Sequence, residues 1–173
     1  MSKNLKLTQY IESLSPKDMA KEIRKLYQLF PEVAEYYQAK LSDEGETELM
    51  NKYTTIIEKE FRSDGIPGKS RISVARKAVS DFLKISTHGF NKAEIMMRYV
   101  EAGVKFTNAY GDIDEPFYNS METMFEKALK YISENKMQDV FRERCSKIVS
   151  DTGGIGWGFP DNLSELFLKY VQQ

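Results

Sequence analysis

Apolar side chains recur at intervals of three and four residues along nearly the whole chain, and this periodicity is the feature that most restricts the fold. One example is the set Met19, Ile23, Leu26, Tyr27 and Phe30, spaced 4, 3, 1 and 3. Such spacing places the side chains on one face of an α-helix. No stretch alternates apolar and polar residues as a β-strand does. The pattern therefore predicts an all-α fold.

Glycine, proline and polar residues divide this periodicity into eight or nine helices. The expected ranges are about 5–14, 16–30, 31–41, 49–61, 70–86, 91–110, 116–132 and 136–148, with a short helix after residue 160. Ser15 and Asn91 are expected to cap helices, and Gly111 is expected to end one. Pro31 and Pro116 predict sharp helix–proline–helix corners. Loops are expected at 63–70, 111–115 and 151–160.

The length of 173 residues suits one domain. We therefore expect residues 1–173 to form a single compact bundle of antiparallel helical hairpins. The similar corners at Pro31 and Pro116 leave an irregular helical repeat as the alternative, although no fixed period is found.

The amino-acid composition excludes several classes of functional site. Cys145 is the only cysteine, which excludes an intrachain disulfide and a cysteine-based zinc site, and His88 is the only histidine, which excludes sites that need two. No segment resembles a signal peptide or a membrane span of about 20 apolar residues. These observations predict a cytoplasmic protein with no cofactor and no membrane partner.

The stretch FTNAYGDIDEPFYNSMETMF, from Phe106 to Phe125, places an acidic turn between aromatic residues. Its candidate ligand- or partner-binding residues are Tyr110, Asp112, Asp114, Glu115 and Tyr118. Three carboxylates in four residues could bind a hard cation, but the stretch lacks the further ligands and the glycine of a calcium loop. The structural alternative is that Asp114 or Glu115 stabilises the start of the next helix and that the aromatic residues belong to the core. The sequence does not identify a metal.

Trp157 is the only tryptophan and stands in the glycine-rich segment TGGIGWGFP, residues 152–160. Ordering such a segment costs conformational entropy. Two interpretations follow: the indole fills a gap in the bundle, or it contacts a partner.

A basic set near residue 70 is a candidate anion-binding site, formed by Lys69, Arg71, Arg76 and Lys77. The preceding segment SDGIPGKS, residues 63–70, nearly matches a phosphate-binding loop, but Ser63 replaces the first glycine and no strand precedes it. The same basic face could follow a nucleic-acid backbone. An isoelectric point near 6.0 and the absence of a known nucleic-acid-binding motif favour a solvated helix face instead.

Three segments carry a resemblance to a known family: YIESLSPKDMAKEIRKLYQLFPEVAEYY, RKAVSDFLKIS and YVEAGVKFTNAYGDIDEPFYNSMETMF. They resemble an uncharacterised bacterial family known as domain of unknown function 6155. The resemblance implies a single small helical domain and supplies no catalytic residues.

Three functional hypotheses follow. The first is a small cytoplasmic protein-interaction or adaptor domain without catalytic activity, which binds another protein through an exposed helix groove or the Trp157 loop. The second is a metal- or small-ligand-binding enzyme that uses the turn Asp112, Asp114 and Glu115. The third is nucleic-acid binding through the helix at 70–86. A broad exposed apolar patch would favour the first, a pocket with converging carboxylates the second, and a continuous positive stripe the third; the oligomeric state is left open.

Overall fold

The computed structural model describes residues 3–62 and 71–171, and every regular element in these ranges is an α-helix. The helices are α1 (Lys3–Ser13), α2 (Pro16–Leu29), α3 (Pro31–Leu41), α4 (Asp43–Phe61), α5 (Ile72–Ile85), α6 (Gly89–Tyr110), α7 (Glu115–Glu134), α8 (Gln138–Asp151) and α9 (Phe159–Val171). No β-strand occurs in the described ranges. The all-α prediction is confirmed. The predicted loop at 63–70 lies outside the described residues.

Proline and capping residues set the helix ends where local chemistry predicts them. The Ser15 side chain accepts a hydrogen bond from the Asp18 amide at 3.2 Å, and Pro16 begins α2. Pro31 begins α3 directly after Phe30, so α2 and α3 meet at the expected corner. Gly111 ends α6 with a φ of 86°, which a residue without a Cβ adopts most easily.

Two helices begin earlier than their sequences suggest. The sequence predicts no helix between residues 41 and 49, but Ser42 is the N-cap of α4 and its hydroxyl accepts from the Gly45 amide at 2.9 Å. The acidic residues after Ser42 therefore occupy the first turn of α4, where the helix dipole favours negative charge. Asn91 was expected to cap α6, but the N-cap position is occupied by His88. Asn91 instead donates its side-chain amide to Glu46 at 3.0 Å.

The core is built around α6, which packs against α4, α5, α7 and α8. A cluster of rings at its centre is formed by Phe61, Tyr99, Phe106 and Phe117. Their ring centroids lie 5.3 to 6.2 Å apart in edge-on and tilted arrangements, as expected for well-packed aromatic side chains. Helix α9 closes the bundle against α7 and α8.

The first two helices, residues 3–30 including the joint at Phe30, stand apart from this core, and we call them the N-terminal arm. None of the described side chains in α1 or α2 is buried. Helix α2 packs against α3, which in turn contacts α4 and α5. The expected compact bundle is thus formed by α3 to α9, whereas the arm leaves its apolar face uncovered.

Gly103 permits the close approach of α6 and α7, and we expect Gly103→Ala to destabilise the fold. A Cβ at this position would lie 2.1 Å from Sδ of Met121, which is completely buried. Alanine favours the helix by about 1 kcal/mol, but overpacking typically costs about 1–3 kcal/mol. We expect a net loss of about 1 kcal/mol in the free energy of unfolding, measured by urea denaturation.

Gly153→Ala, in the turn after α8, is the control for adding a Cβ without a clash, because its nearest contact would be an ordinary 3.4 Å. In a Met121→Ala background the clash is absent, so Gly103→Ala should become neutral or stabilising. An equal loss of stability in both backgrounds would show that Met121 is not the cause.

Candidate functional site

The acidic turn, residues 111–115, joins α6 to α7 and one of its carboxylates has a clear structural role. Asp114 is the N-cap of α7, and its Oδ1 accepts from the Phe117 amide at 3.0 Å. Pro116 lies in the first turn. Glu115 is exposed at the first position of α7, where negative charge is favoured. The capping interpretation is confirmed for Asp114.

Asp112 connects the acidic turn to the glycine-rich loop of residues 152–158. Its Oδ1 accepts the Tyr118 hydroxyl at 3.2 Å and the Gly156 amide at 3.4 Å. Tyr118 is buried, and its hydroxyl also lies 2.8 Å from the hydroxyl of Thr107. A Cβ on Gly156 would lie 3.0 Å from Oδ2 of Asp112, so glycine lets the loop approach. Two regions that the sequence presents as separate features therefore form one corner of the molecule.

The carboxylates of this corner do not converge on one point. Asp112 and Asp114 accept hydrogen bonds from different groups of their own chain. Within residues 3–62 and 71–171, no group of three His, Cys, Asp or Glu side chains is arranged to hold a metal ion. Tyr110 lies at the edge of the corner with its ring 5.0 Å from that of Phe106. The geometry of the described residues thus offers the metal hypothesis no ligand set.

Trp157 lies on the outside of this corner. Its side chain is 58% exposed, and its backbone φ of 65° is uncommon for a residue other than glycine. The indole is tilted against the Tyr118 ring with the centroids 6.4 Å apart. Phe159, completely buried and 4.9 Å from Tyr118, fills the space below. The interpretation of Trp157 as a plug is therefore wrong, and its contact with a partner stays a prediction.

Ion pairs neutralise most of the predicted basic face on α5. Lys69 lies outside the described residues. Arg71 donates Nε and Nη2 to the two carboxylate oxygens of Glu60, both at 2.8 Å. Lys77 pairs with Asp81, and the hydrogen bond from Lys77 lowers the pKa of that carboxyl. Arg76 makes no ion pair with the described residues, so the basic positions do not form a continuous positive stripe.

His88 lies at the surface, whereas Cys145 lies in the core. His88 is half exposed, and its Nε2 lies 3.0 Å from Oδ1 of Asp43 on the surface. Cys145 is completely buried, and burial raises the pKa of its thiol to about 12. The thiol therefore stays protonated at neutral pH, which makes it a poor nucleophile.

Two buried carboxylates have roles that the sequence did not reveal. Glu46 at the start of α4 is fully buried and binds the segment that leads into α6. Glu94 on α6 is nearly buried and binds Arg98 and Arg144. Except for Arg98, which follows Glu94 by one helical turn, these partners lie at distant positions that no local pattern identifies.

More than half of the exposed large apolar side chains among the described residues lie on the N-terminal arm. On α2 and its C-cap the exposed members are 40% to 58% accessible: Ile23, Leu26, Tyr27, Leu29 and Phe30. On α1 they are Leu5, Leu7, Tyr10 and Ile11. We call these nine residues the apolar stripe. Residues 3–30 also contain six Lys/Arg and three Asp/Glu, a net charge of +3 in a chain whose total is −1. Helical periodicity indicated this face, but it could not show that the face is uncovered.

Comparison with known proteins gives a family without an assigned activity. Residues 1–168 match the model of a family of unknown function, DUF6155. No curated protein matches the chain, and no solved structure matches it. No helix in the described part combines the length and apolar character needed to cross a membrane.

Proposed function

The chain belongs to the DUF6155 family, and we propose that it is a protein-interaction domain that binds another protein through the apolar stripe of its N-terminal arm. The observation that carries the proposal is that α2 is strongly amphipathic and yet buries none of its side chains. Large contiguous apolar patches are uncommon on monomeric proteins and usually mark interaction sites.

The energetics favour a covered stripe. Complete burial of a large apolar side chain contributes about 1.5–3 kcal/mol, and the side chains on α2 are about half exposed. Covering five of them would therefore supply several kcal/mol toward binding, before the cost of association is subtracted. An amphipathic helix that places such a face in an apolar groove is a common mode of recognition.

The charge of the arm specifies the partner further. Lys17, Lys21, Arg24 and Lys25 lie on α2 beside the stripe. Opposite charges around an interface accelerate encounter and select the orientation. We therefore expect the partner to present an apolar groove with an acidic rim. The chain would act in the cytoplasm, where the single thiol of Cys145 stays reduced.

The alternatives have less support in the described residues. An enzyme at the acidic turn would need converging groups, but Asp112 and Asp114 are bound to separate groups of their own chain. Nucleic-acid binding would need free cations along α5, where Arg71 and Lys77 are paired with acids. Trp157 provides a second exposed apolar surface that the same experiment can test.

We expect Ile23→Glu/Leu26→Glu to abolish capture of the partner in a pull-down from native lysate. The two glutamates place charge in the apolar contact, which should weaken binding of the partner by more than about tenfold. Ile23 and Leu26 are 40% and 42% exposed in the free chain, so the melting temperature should fall only slightly. The captured protein is then purified and titrated directly against each variant.

Gln9→Glu/Gln28→Glu is the matched control, because it adds the same two charges to exposed positions outside the stripe. This control should keep the partner. If the stripe variant still captures the partner, the proposal is contradicted. If only Trp157→Ala loses the partner, the binding site is the Trp157 loop. A wild-type dimer that the stripe variant dissociates in light scattering would identify a second copy as the occupant. If the chain captures no protein but binds anionic lipid vesicles, the stripe contacts a membrane surface and not a protein.

A further inference from the structure

A groove between α5 and α7 has the composition of an anion-binding site, and it is independent of the N-terminal arm. Both helices pack against α6 and leave between them a groove of about 370 Å³. Its polar lining consists of Arg76, Ser80, Asn119, Ser120, Thr123 and Lys127. We propose that this α5–α7 groove binds the phosphate group of a small organic phosphate monoester.

The groove is lined by positive charges. Arg76 from α5 and Lys127 from α7 both line it, and the lining contains no aspartate or glutamate. Neither cation makes an ion pair in the part of the chain that the structure describes, whereas their neighbours Lys77 and Lys130 each pair with an acid. Two uncompensated positive charges match a phosphate monoester, which carries nearly two negative charges at neutral pH.

The groove also presents hydrogen-bond donors that could bind phosphate oxygens. Arginine binds phosphate oxygens through its planar fork, and lysine adds a point charge. Ser80 and the Asn119 amide make no hydrogen bond within the described residues, so both can donate to a ligand. The Thr123 hydroxyl is already bound to the Asn119 carbonyl at 2.7 Å and contributes at most its oxygen. The available donors thus come from both sides of the groove.

The floor of the groove adds a buried polar pair. The hydroxyls of Ser120 and Tyr99 lie 2.7 Å apart, and both residues are buried. Burial raises the pKa of Tyr99, while the Ser120 hydrogen bond and the nearby charge of Arg76 lower it. When Tyr99 donates to Ser120, the Ser120 hydroxyl proton is left for a ligand.

The size and apolar surface of the groove select the ligand class. A volume of about 370 Å³ is at the small end of ligand sites, which suits a phosphate monoester rather than a dinucleotide. Val79 from α5 and Met124 from α7 form the apolar part of the lining on opposite sides of the groove. They can contact the organic part of the ester. This combination distinguishes the groove from the one beside α9, where Glu122, Glu126 and Glu165 repel anions.

The test is a titration of the wild-type chain with phenyl phosphate and, separately, with inorganic phosphate. Binding is monitored through the nuclear magnetic resonance chemical shifts of the backbone amides. Phenyl phosphate should shift the amides of α5 and α7 around the groove and bind more tightly than inorganic phosphate. Arg76→Gln/Lys127→Gln should weaken this binding by at least about tenfold. Lys77→Gln/Lys130→Gln, which removes one cation from each of the same helices, should change it less than about twofold.

Each contrary result overturns a stated part of the proposal. No saturable shifts with either probe would remove the site, and equal weakening by the two double variants would reduce it to nonspecific charge attraction. Equal affinity for both probes would overturn the assignment of an organic ester. All four cations are exposed, so unchanged melting temperatures can verify that the variants remain folded.

Discussion

Glu46→Gln is expected to lower the free energy of unfolding by about 2–4 kcal/mol at neutral pH, because the native carboxylate is buried and accepts several hydrogen bonds. Its donors are the Ser86 hydroxyl at 2.5 Å, the Thr87 hydroxyl at 2.7 Å and amide at 3.1 Å, the His88 amide at 3.3 Å and the Asn91 amide group at 3.0 Å. Glutamine retains one acceptor oxygen and turns an N–H group toward these donors. Some donors would therefore lose their partner inside the protein.

The same carboxylate predicts how stability depends on pH. Burial of Glu46 raises its pKa, but the hydrogen bonds from Ser86, Thr87 and Asn91 outweigh burial and bring the pKa from the ordinary 4.5 to about 2. Because the folded pKa is depressed, the stabilisation is fully present above the unfolded value and is lost as the pH falls from 4.5 through about 2. A shift of this size corresponds to about 3 kcal/mol.

Urea denaturation of both proteins between pH 7 and pH 2 measures this effect. The difference between wild type and Glu46→Gln should shrink as the wild-type carboxylate is protonated. Glu44→Gln is the matched control, since Glu44 stands in the same turn but is exposed and makes no ion pair among the described residues. A difference between wild type and Glu46→Gln that stays constant over this pH range would show that the charge of Glu46 does not stabilise the fold.

Local signals were sufficient to predict the helices and most of their ends. Ser15, Pro31 and Asp114 act through atoms within three residues, so their effects are visible in a short stretch of sequence. The start of α4 was missed because Ser42, Asp43 and Glu44 are typical both of a loop and of a capped first turn. Where two local interpretations share the same residue types, sequence alone does not separate them.

Long-range contacts were beyond prediction from one sequence. Glu46 binds residues about 40 positions away, and Asp112 meets Gly156 at a separation of 44. The acidic turn and Trp157 are separate features in the sequence, and the packing of α9 against α7 and of α8 against α6 brings them together. The apolar stripe shows the same limit in another form. A periodic apolar face predicts a helix, but whether another element covers it depends on the whole fold.

The second large effect is expected from Arg144→Ala, which should lower the free energy of unfolding by about 2–3 kcal/mol. Arg144 on α8 donates Nε and Nη2 to the two oxygens of Glu101 at 2.9 and 3.0 Å, and Nη1 to Glu94. Burial lowers the pKa of the Arg144 guanidinium, but the hydrogen bonds to Glu101 and Glu94 raise this pKa by a larger amount. The group therefore stays charged. Its removal leaves Glu94, which is 8% exposed, with Arg98 as its one remaining ion-pair partner in the described chain.

The charges left behind, rather than the lost contacts, should account for most of this destabilisation. Breaking a buried pair leaves an uncompensated charge, whereas replacing all its members by neutral side chains is much less costly. We therefore expect Arg144→Met/Glu94→Gln/Glu101→Gln to be more stable than Arg144→Met alone when both are unfolded in urea. Arg142→Ala is the control on the same helix, because its pair with Asp139 is long, 3.7 Å, and exposed. If the triple variant is the less stable of the two, the unpaired charges of Glu94 and Glu101 do not account for the destabilisation.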